Sequence, residues 1–439
     1  MTAPITRTRK VALVSLSPDP DGGELGPLEL PSYGVHRVMA AAKALQGEMD
    51  IDLRYFEDNR QGRVGLTNVL KDFAPEIVGF SIYVWSTAKL VQAAKSVKRM
   101  LPEAFVIFGG PSARRPVFAL EPYRGAEGYL DALAEGDGES VIQSLLRAPD
   151  LTRESLRRIG GLALPNPDGS WTTTGPAQAM AMDDIPSPYQ QGLMPKGAVS
   201  YLETYRGCPL ACRFCEWGAT RPAKDVFSAD YITREIDAFE ALEAPAVFLL
   251  DAGLNLNATA FRNLAEANTR ARHLKNTSFW AEIYPSTVRR QHLDFLESIG
   301  TSYLGVGLQS IDQAVLDAHD RKIKQDRFEP SVRDLAQVAE LEIQIIFGLP
   351  GETPEGFLRT LDFALKMPGR VRAYHCLVLP DALLSRSRPE WDVRFDPVTM
   401  AMTSNANWSE DDFRRMRAKL DAMVKQHNGK SGTYWWSFR

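Results

Sequence analysis

The sequence predicts an α/β protein with two successive sheets of parallel strands, each covered by helices. Short β-branched and aromatic runs alternate with amphipathic segments in the first third of the chain, and the same rhythm returns after residue 199. A proline-rich stretch separates the two regions and marks a domain boundary. The first region has the pattern of a doubly wound sheet and the second that of a partial barrel.

Residues 1–149 form the first predicted domain. Its predicted strands are Val11–Leu16, Ile51–Phe56, Ile77–Ile82 and Phe105–Phe108, because β-branched and aromatic residues favour strands. Sheets of this type bind ligands at the carboxyl ends of their strands, where the connecting loops gather.

Residues 150–198 are predicted to be a linker. Prolines interrupt the alternation there, and Asp168-Gly169 indicates a small hairpin within the segment.

The next predicted domain, residues 199–381, is a partial (β/α)6 barrel. Residues 382–439 lack its rhythm and form a short carboxyl-terminal segment, predicted to cap the barrel on the substrate side, with a charged helix near Glu410–Gln426. The six barrel strands are predicted at Val199–Thr204, Ala246–Asp251, Ser278–Ile283, Tyr303–Val306, Ile343–Phe347 and Tyr374–Leu379.

Composition restricts the possible partners. The 439 residues carry a net charge of −4, with 44% hydrophobic and 24% charged side chains, which is typical of a soluble globular protein. A mildly acidic chain offers no general attraction for nucleic acid, and no apolar run approaches the ~20 residues that span a bilayer. We therefore expect neither nucleic acid nor membrane as a partner. Four cysteines are too few for a disulfide framework, so we expect the reducing cytoplasm.

Three of the four cysteines stand close together. Cys208, Cys212 and Cys215 have the spacing C-x3-C-x2-C directly after a predicted strand. Soft thiolates at this spacing suit an iron–sulfur cluster. Three ligands for four irons leave one iron open to a further ligand. The alternative, a structural zinc site, would require a fourth ligand, and no other Cys or His lies near in sequence.

This loop, with Phe214 before its last cysteine, resembles the cluster loop of the radical S-adenosylmethionine (SAM) superfamily. The resemblance extends over residues 199–380 and implies a [4Fe–4S] cluster held by the three cysteines, with SAM bound at the open iron. Two later turns also resemble family motifs, Gly305-Val306-Gly307-Leu308-Gln309-Ser310 and Gly348-Leu349-Pro350-Gly351-Glu352-Thr353. The alternative for these turns is backbone chemistry alone. By the resemblance, Asp251, Asn255, Glu282 and Gln309 are candidate SAM contacts.

The first domain resembles the Rossmann-like cobalamin-binding domain that precedes the barrel in one large radical SAM class. The resemblance rests on three loops that would follow neighbouring strands, and each alone could be an ordinary turn. It implies bound cobalamin and these candidate contacts: Ser81, Tyr83, Trp85, Gly109, Gly110, Glu135 and Gly136.

One feature departs from many cobalamin domains. Their histidine-bearing segment D-x-H-x-x-G corresponds here to Asp58-Asn59-Arg60-Gln61-Gly62, which contains no histidine. We therefore expect cobalamin without a protein histidine ligand, and Arg60 or Gln61 near its lower face. The alternative for Arg60 is an ordinary solvated loop residue.

Cys376 falls within the sixth predicted strand. A small buried hydrophobic residue is the favoured interpretation, and a role beside the cluster or substrate is the alternative.

The resemblance implies an enzyme that methylates an unactivated carbon of a small molecule in specialised metabolism and uses two SAM molecules. An external electron donor such as flavodoxin or ferredoxin would supply the reductant. The alternatives are a cobalamin-dependent cyclisation, ring contraction or oxidative rearrangement without methyl transfer, and a sensor without turnover.

Overall fold

The protein divides into two compact units. One comprises Met1–Pro195 with Pro397–Thr399, and the other comprises Lys196–Asp396 with Met400–Arg439. The structure is a computed structural model, and it describes residues 8–16, 30–57, 65–217 and 224–439. No helix among these residues is both long and apolar enough to cross a lipid bilayer.

The first unit contains one large sheet in the order β2-β1-β3-β4-β5-β6-β7, in which β1 to β5 run parallel. Its strands are β1 (Arg9–Ser15), β2 (Ile51–Glu57), β3 (Ile77–Ser81), β4 (Phe105–Gly109), β5 (Ala132–Ala134), β6 (Leu162–Pro165) and β7 (Trp171–Thr173). Its helices are α1 (Tyr33–Lys43), α2 (Gly65–Phe73), α3 (Thr87–Met100), α4 (Arg115–Phe118), α5 (Gly138–Arg147) and α6 (Arg153–Leu156).

Apolar residues on both faces explain the parallel part of this sheet. Val11, Ala12 and Val14 in β1 are fully buried, as expected where helices cover both faces of a strand. Residues of α1 and α5, among them Val35 and Leu145, belong to a single core cluster with β1. The predicted α/β class with parallel strands is confirmed for this unit.

The segment predicted to be a linker contributes β6 and β7 to the first sheet. The two strands pair antiparallel, and β6 pairs antiparallel with β5. Their turn is closed by Asn166 N–H donating to the Ser170 carbonyl at 2.9 Å, which places a hairpin at the predicted Asp168-Gly169. Residues 162–173 are therefore sheet and not linker, because β6 is apolar and entirely buried despite its terminal proline.

The second unit contains a sheet in the order β18-β19-β15-β14-β13-β12-β11-β8. Of its described strands, β8 and β11 to β15 run parallel, as predicted for the partial barrel. Its strands are β8 (Ser200–Leu202), β9 (Tyr205–Arg206), β10 (Asp225–Val226), β11 (Ala246–Leu249), β12 (Ser278–Ile283), β13 (Ser302–Gln309), β14 (Glu340–Phe347), β15 (Arg370–His375), β16 (Arg394–Phe395), β17 (Met402–Ser404), β18 (Lys430–Ser431) and β19 (Trp435–Phe438). Its helices are α7 (Ala229–Ala241), α8 (Ala258–Arg270), α9 (Arg290–Ser298), α10 (Gln313–Ala318), α11 (Gln325–Leu335), α12 (Pro354–Ala364) and α13 (Glu410–Gln426).

The sixth barrel strand was predicted at the wrong place. Strand β15 begins at Arg370, four residues before the predicted start at Tyr374, and it ends at His375. Val371 and Ala373 are buried while the alternate arginines are not, so the charged residues lie on the opposite face of a true strand. Cys376 follows this strand and is buried, with 2% of its surface exposed, in agreement with the favoured interpretation.

The carboxyl-terminal segment extends the barrel sheet. Strand β19 pairs antiparallel with β15, and Trp436 is buried with its indole N–H donating to Asp421 of α13 at 2.6 Å. Helix α13 begins with a capping box in which the side chains of Ser409 and Asp412 bond to each other's backbone N–H groups.

Candidate functional site

The three clustered cysteines lie in the loop between β9 and β10, just beyond the carboxyl end of β8. Cys208 and Cys212 are buried, with 9% and 5% of their surfaces exposed, and Cys215 is half-buried. The Leu210 N–H donates to the Cys208 sulfur at 3.4 Å. The loop therefore presents three shielded thiols within eight residues of chain.

Burial favours the protonated form of Cys208 and Cys215, because it raises the pKa of both thiols, that of Cys215 to about 11. Reactive cysteines have depressed pKa values, so these groups are poor nucleophiles at neutral pH. A bound metal ion removes the thiol proton outright, and the donor set therefore suits metal ligation better than thiol chemistry.

No group of three His, Cys, Asp or Glu side chains in the described ranges lies close enough to hold a single metal ion. A [4Fe–4S] cubane would offer each of three thiolates its own iron atom.

Glu282 lies near the end of β12, which is two strands away from β8 in the sheet. Its carboxylate is accessible to solvent although protein atoms surround it, and this enclosure raises its pKa. The Gln344 amide donates to it at 2.9 Å. Gly305 makes this contact possible, since a Cβ there would lie 2.2 Å from Glu282 Oε1.

The second glycine of the same turn makes room for two other side chains. A Cβ on Gly307 would lie 2.7 Å from Gln309 Nε2 and 2.9 Å from Arg321 Nη2, so both side chains flank this glycine. Gln309 has a φ of +69°, a left-handed conformation that non-glycine residues seldom adopt. Strand β13 shifts register against β14 at this point. At Gln309 the backbone therefore departs from the regular extended conformation of the strand.

Arg321 connects this turn to the cysteine loop. Its guanidinium donates to the Gly307 carbonyl at 2.6 Å and lies 4.0 Å from the Cys212 sulfur. It also lies over the Tyr284 ring, 4.8 Å from the ring centre. Sequence reasoning missed this residue because it lies in a charged stretch after α10 with no motif around it.

Besides the Tyr284 hydroxyl, two buried polar atoms in this group have no hydrogen-bond partner among the described residues. They are Arg321 Nε, a donor, and Gln309 Oε1, an acceptor. Buried polar groups are nearly always paired, so an orphan of each kind beside Gly307 requires an explanation. Together they match a small ligand with one acidic and one basic group.

The Asp251 side chain holds neighbouring strand ends together. Its carboxylate accepts hydrogen bonds from Thr204 N–H at 2.8 Å, from Tyr205 N–H at 3.3 Å and from the Thr204 hydroxyl. Burial raises the pKa of Asp251 to about 7. These bonds fix the chain just before the cysteine loop.

The Asn255 amide likewise contacts the following loop. It donates to the Tyr284 carbonyl at 2.8 Å and to the Thr287 hydroxyl at 2.9 Å, and it accepts from Tyr284 N–H at 2.9 Å. Asn255 thus positions Tyr284, whose ring the Arg321 guanidinium contacts.

The second predicted turn surrounds a buried carboxyl group. The Ser310 hydroxyl donates to Glu352 at 2.5 Å, and the Trp408 indole donates to the Glu352 carbonyl at 2.8 Å. Burial raises the pKa of Glu352 to about 7. This turn therefore joins β13, β14 and the carboxyl-terminal segment.

In the first unit, the candidate cobalamin contacts gather at one edge of the sheet. Ser81 ends β3, Gly109 ends β4 and Glu135 follows β5, and these strands are adjacent and parallel. Tyr83 and Trp85 stack with ring centres 4.5 Å apart, and Trp85 is 50% exposed. An exposed indole stacked on a half-buried tyrosine at a carboxyl edge fits a bulky planar ligand.

Other candidates at this edge are engaged by the chain itself. Gly110 has a φ of +102°, and a Cβ there would lie 2.7 Å from the Ile82 carbonyl oxygen. A Cβ on Gly136 would lie 2.5 Å from the Cβ of Ala177, and Glu135 pairs with Arg115 at 2.6 Å. Packing explains these residues, so they do not by themselves indicate a ligand. Arg60 and Gln61, predicted near cobalt, lie outside the described residues.

Residues 202–364 match the family model described as the radical SAM superfamily. The matched range contains all three loop cysteines, both glycine turns and Arg321. This part of the chain is therefore similar to the radical SAM superfamily.

Two curated relatives align over most of this chain. The 2-(S-pantetheinyl)-carbapenam-3-carboxylate methyltransferase of Streptantibioticus cattleyicolor is 27% identical and covers 81% of this chain. The cobalamin-dependent radical SAM methyltransferase TokK of Streptomyces tokunonensis is 29% identical and covers 71% of it. The alignments take in 57% and 48% of these relatives, so this chain spans about half their length.

Among solved structures, the fold is similar to that of the radical SAM methyltransferase TsrM from Kitasatospora setae, determined with tryptophan and a SAM analogue. The TM-score is 0.69 at 15% identity, over 95% of this chain and 88% of that one. This likeness is one of fold. The comparisons confirm the recognition from sequence of a radical SAM enzyme resembling cobalamin-dependent methyltransferases, and the relatives' names agree with the expected cofactors.

Proposed function

We propose that this radical SAM enzyme is cobalamin-dependent and methylates an unactivated carbon of a small molecule in specialised metabolism, consuming two SAM molecules per turnover. One observation carries the SAM part of the proposal. The side chains of Arg321, whose Nε is an unpaired donor, and Gln309, whose Oε1 is an unpaired acceptor, both approach Gly307, and the Arg321 guanidinium lies 4.0 Å from the Cys212 sulfur. An amino acid moiety, with its carboxylate and ammonium groups, would pair with both.

Different residues near Cys212 would bind the carboxylate and the ammonium group of that moiety. The Arg321 guanidinium takes the carboxylate, since arginine is always charged and forms charge-assisted hydrogen bonds. Gln309 accepts from the ammonium group, and Glu282 adds a negative charge that Gln344 orients. Asp251 and Asn255 act as positioning residues, because their polar atoms already bond to the chain.

Cys208, Cys212 and Cys215 would hold the cluster and leave one iron for SAM. When bound, the cluster supplies an electron that generates a carbon radical from SAM, and cobalamin carries the methyl group. The shielded loop keeps water from the reacting groups, since two of its three cysteines are buried.

In the first unit, the exposed Trp85 and its partner Tyr83 would contact cobalamin at the carboxyl edge of the sheet. Ser81, Gly109, Gly110, Glu135 and Gly136 would border the same ligand, and Arg60 or Gln61 would lie below it. Two aligned relatives carry methyltransferase names, which supports methyl transfer over ring closure or rearrangement.

The test is anaerobic reconstitution with iron, sulfide and hydroxocobalamin, followed by incubation with a reductant and SAM labelled in its methyl group. We expect bound cobalamin that acquires the label, with formation of S-adenosylhomocysteine and 5′-deoxyadenosine. Iron-replete protein that takes up no cobalamin would remove the methyl-transfer proposal and leave the radical SAM assignment intact.

A further inference from the structure

A single guanidinium holds the cysteine loop from a segment more than 160 residues later in the chain. Arg386 follows the helical turn Pro380–Leu384. It donates to the main-chain carbonyls of Ala211 at 3.2 Å, Cys212 at 3.0 Å and Cys215 at 2.5 Å. Three carbonyls of a short loop thus converge on one planar donor group.

Arg386 is itself fixed to its own segment. Its Nε–H donates to the Asp381 carbonyl at 2.8 Å, which orients the fork toward the loop. These four carbonyls are its hydrogen-bond partners within the described residues, and no described carboxylate forms an ion pair with it. A half-buried positive charge is therefore held against the cysteine loop with no described carboxylate in ion-pair contact.

Other contacts attach the two segments without this guanidinium. The Asp381 N–H donates to Glu216 at 3.1 Å, and Arg213 donates to the Arg386 carbonyl at 3.2 Å while pairing with Asp320 at 2.8 Å. Removal of the guanidinium alone should therefore leave the two segments docked, so its own contribution can be measured.

We propose that Arg386 is a positioning residue for the cluster. It orders the three-cysteine loop before metal binds, and its positive charge favours the reduced, more negative state of the bound cluster. The inference rests on the proposed cluster at Cys208, Cys212 and Cys215. Hydrogen bonding and net charge around a cluster are established determinants of its reduction potential. The fork of an arginine can serve three carbonyls at once, which a single point charge does less well.

The test compares Arg386→Gln and Arg386→Lys with the wild type. Arg394→Gln is the matched control, because Arg394 is an exposed arginine in the same carboxyl-terminal segment. The first measurement is hydrogen exchange in the metal-free protein. The amides of Arg213 and Cys215 bond to the His319 and Cys212 carbonyls, and they should exchange about tenfold faster in Arg386→Gln.

The second measurement uses reconstituted protein. We expect cluster loss to a chelator to be about tenfold faster in Arg386→Gln, as for other residues that support metal ligands. We also expect the midpoint potential to shift to more negative values. Arg386→Lys, which keeps the charge, should recover most of the potential but less of the loop protection. If Arg386 had a purely structural role, midpoint potential and loop protection would change together in Arg386→Lys.

The proposal is overturned if loop exchange and midpoint potential in folded Arg386→Gln both equal those of Arg394→Gln. If Arg386→Gln does not fold, Arg386→Lys is the test variant. Hydrogen exchange in its cysteine loop at the wild-type rate would then overturn the ordering role. A wild-type protein that binds no cluster would instead refute the proposed function on which this inference rests.

Discussion

Gly305→Ala is the most informative single change in the barrel. The new Cβ would lie 2.2 Å from Glu282 Oε1 and 2.6 Å from Gln344 Nε2, so the two side chains must separate and lose their 2.9 Å hydrogen bond. A hydrogen bond to a charged group contributes about 1.5–3 kcal/mol. Glu282 keeps access to water, so the lower end of that range applies. Alanine also restricts the unfolded chain more than glycine does, and this raises the folding stability by about 0.4–1 kcal/mol.

The net loss of folding stability should therefore be no more than about 1 kcal/mol. SAM affinity should fall about tenfold, which corresponds to about 1.4 kcal/mol, because Glu282 is displaced from its proposed contact. Urea unfolding measures the first quantity, and calorimetric titration of the cluster-loaded protein with SAM measures the second. Gly47→Ala is the control, since a Cβ there meets no atom within 4 Å. Unchanged SAM affinity in a variant that has lost the predicted stability would refute the role assigned to Glu282.

Three further changes test other parts of the structure. Arg321→Gln should weaken SAM binding about tenfold or more, with Arg321→Lys intermediate, and equal affinity in all three proteins would contradict its role at the carboxylate. Folding raises the pKa of Glu352 from 4.5 to about 7. Between these pH values the folded protein keeps a proton on Glu352 that the unfolded chain has released, so the contribution of Glu352 to folding stability falls as the pH rises. Glu352→Gln should therefore gain about 3 kcal/mol relative to wild type between pH 4 and pH 8 in denaturant unfolding, and parallel pH profiles would disprove this. Gly110→Ala should reduce cobalamin uptake because it clashes with the Ile82 carbonyl, whereas Gly125→Ala, which has a similar positive φ but open space, should not; equal uptake in the two variants would count against the proposed edge.

Regular apolar patterns made most of the fold predictable. Most parallel strands of both sheets follow β-branched and aromatic runs, and helix α13 has the bounds expected from its charged sequence. Strand β5 was not predicted, because its three residues Ala132-Leu133-Ala134 carry no such signal. Strand β15 was misplaced because Arg370 and Arg372 alternate with its buried residues. Arg372 is accommodated by an ion pair with Glu342 at 2.8 Å and by the Trp435 ring, partners that no local pattern reveals.

The candidate site was predictable only where local sequence carries the chemistry. The cysteine spacing and the two glycine turns are short-range signals. Arg321 and Arg386 reach the cysteine loop from distant segments, so only the folded chain brings them together. The SAM contact of Asp251 stays a prediction, and no local sequence pattern indicates that its carboxylate also binds the backbone N–H groups of Thr204 and Tyr205.

The number of iron atoms retained after anaerobic reconstitution is the most direct test of the account. Wild-type protein and Cys376→Ala, which removes a buried thiol away from the loop, should each hold about four iron atoms and convert SAM to 5′-deoxyadenosine under reducing conditions. Protein lacking the thiols of Cys208, Cys212 and Cys215 should do neither. A full cluster and undiminished SAM cleavage in that triple alanine variant would contradict the assignment of the loop.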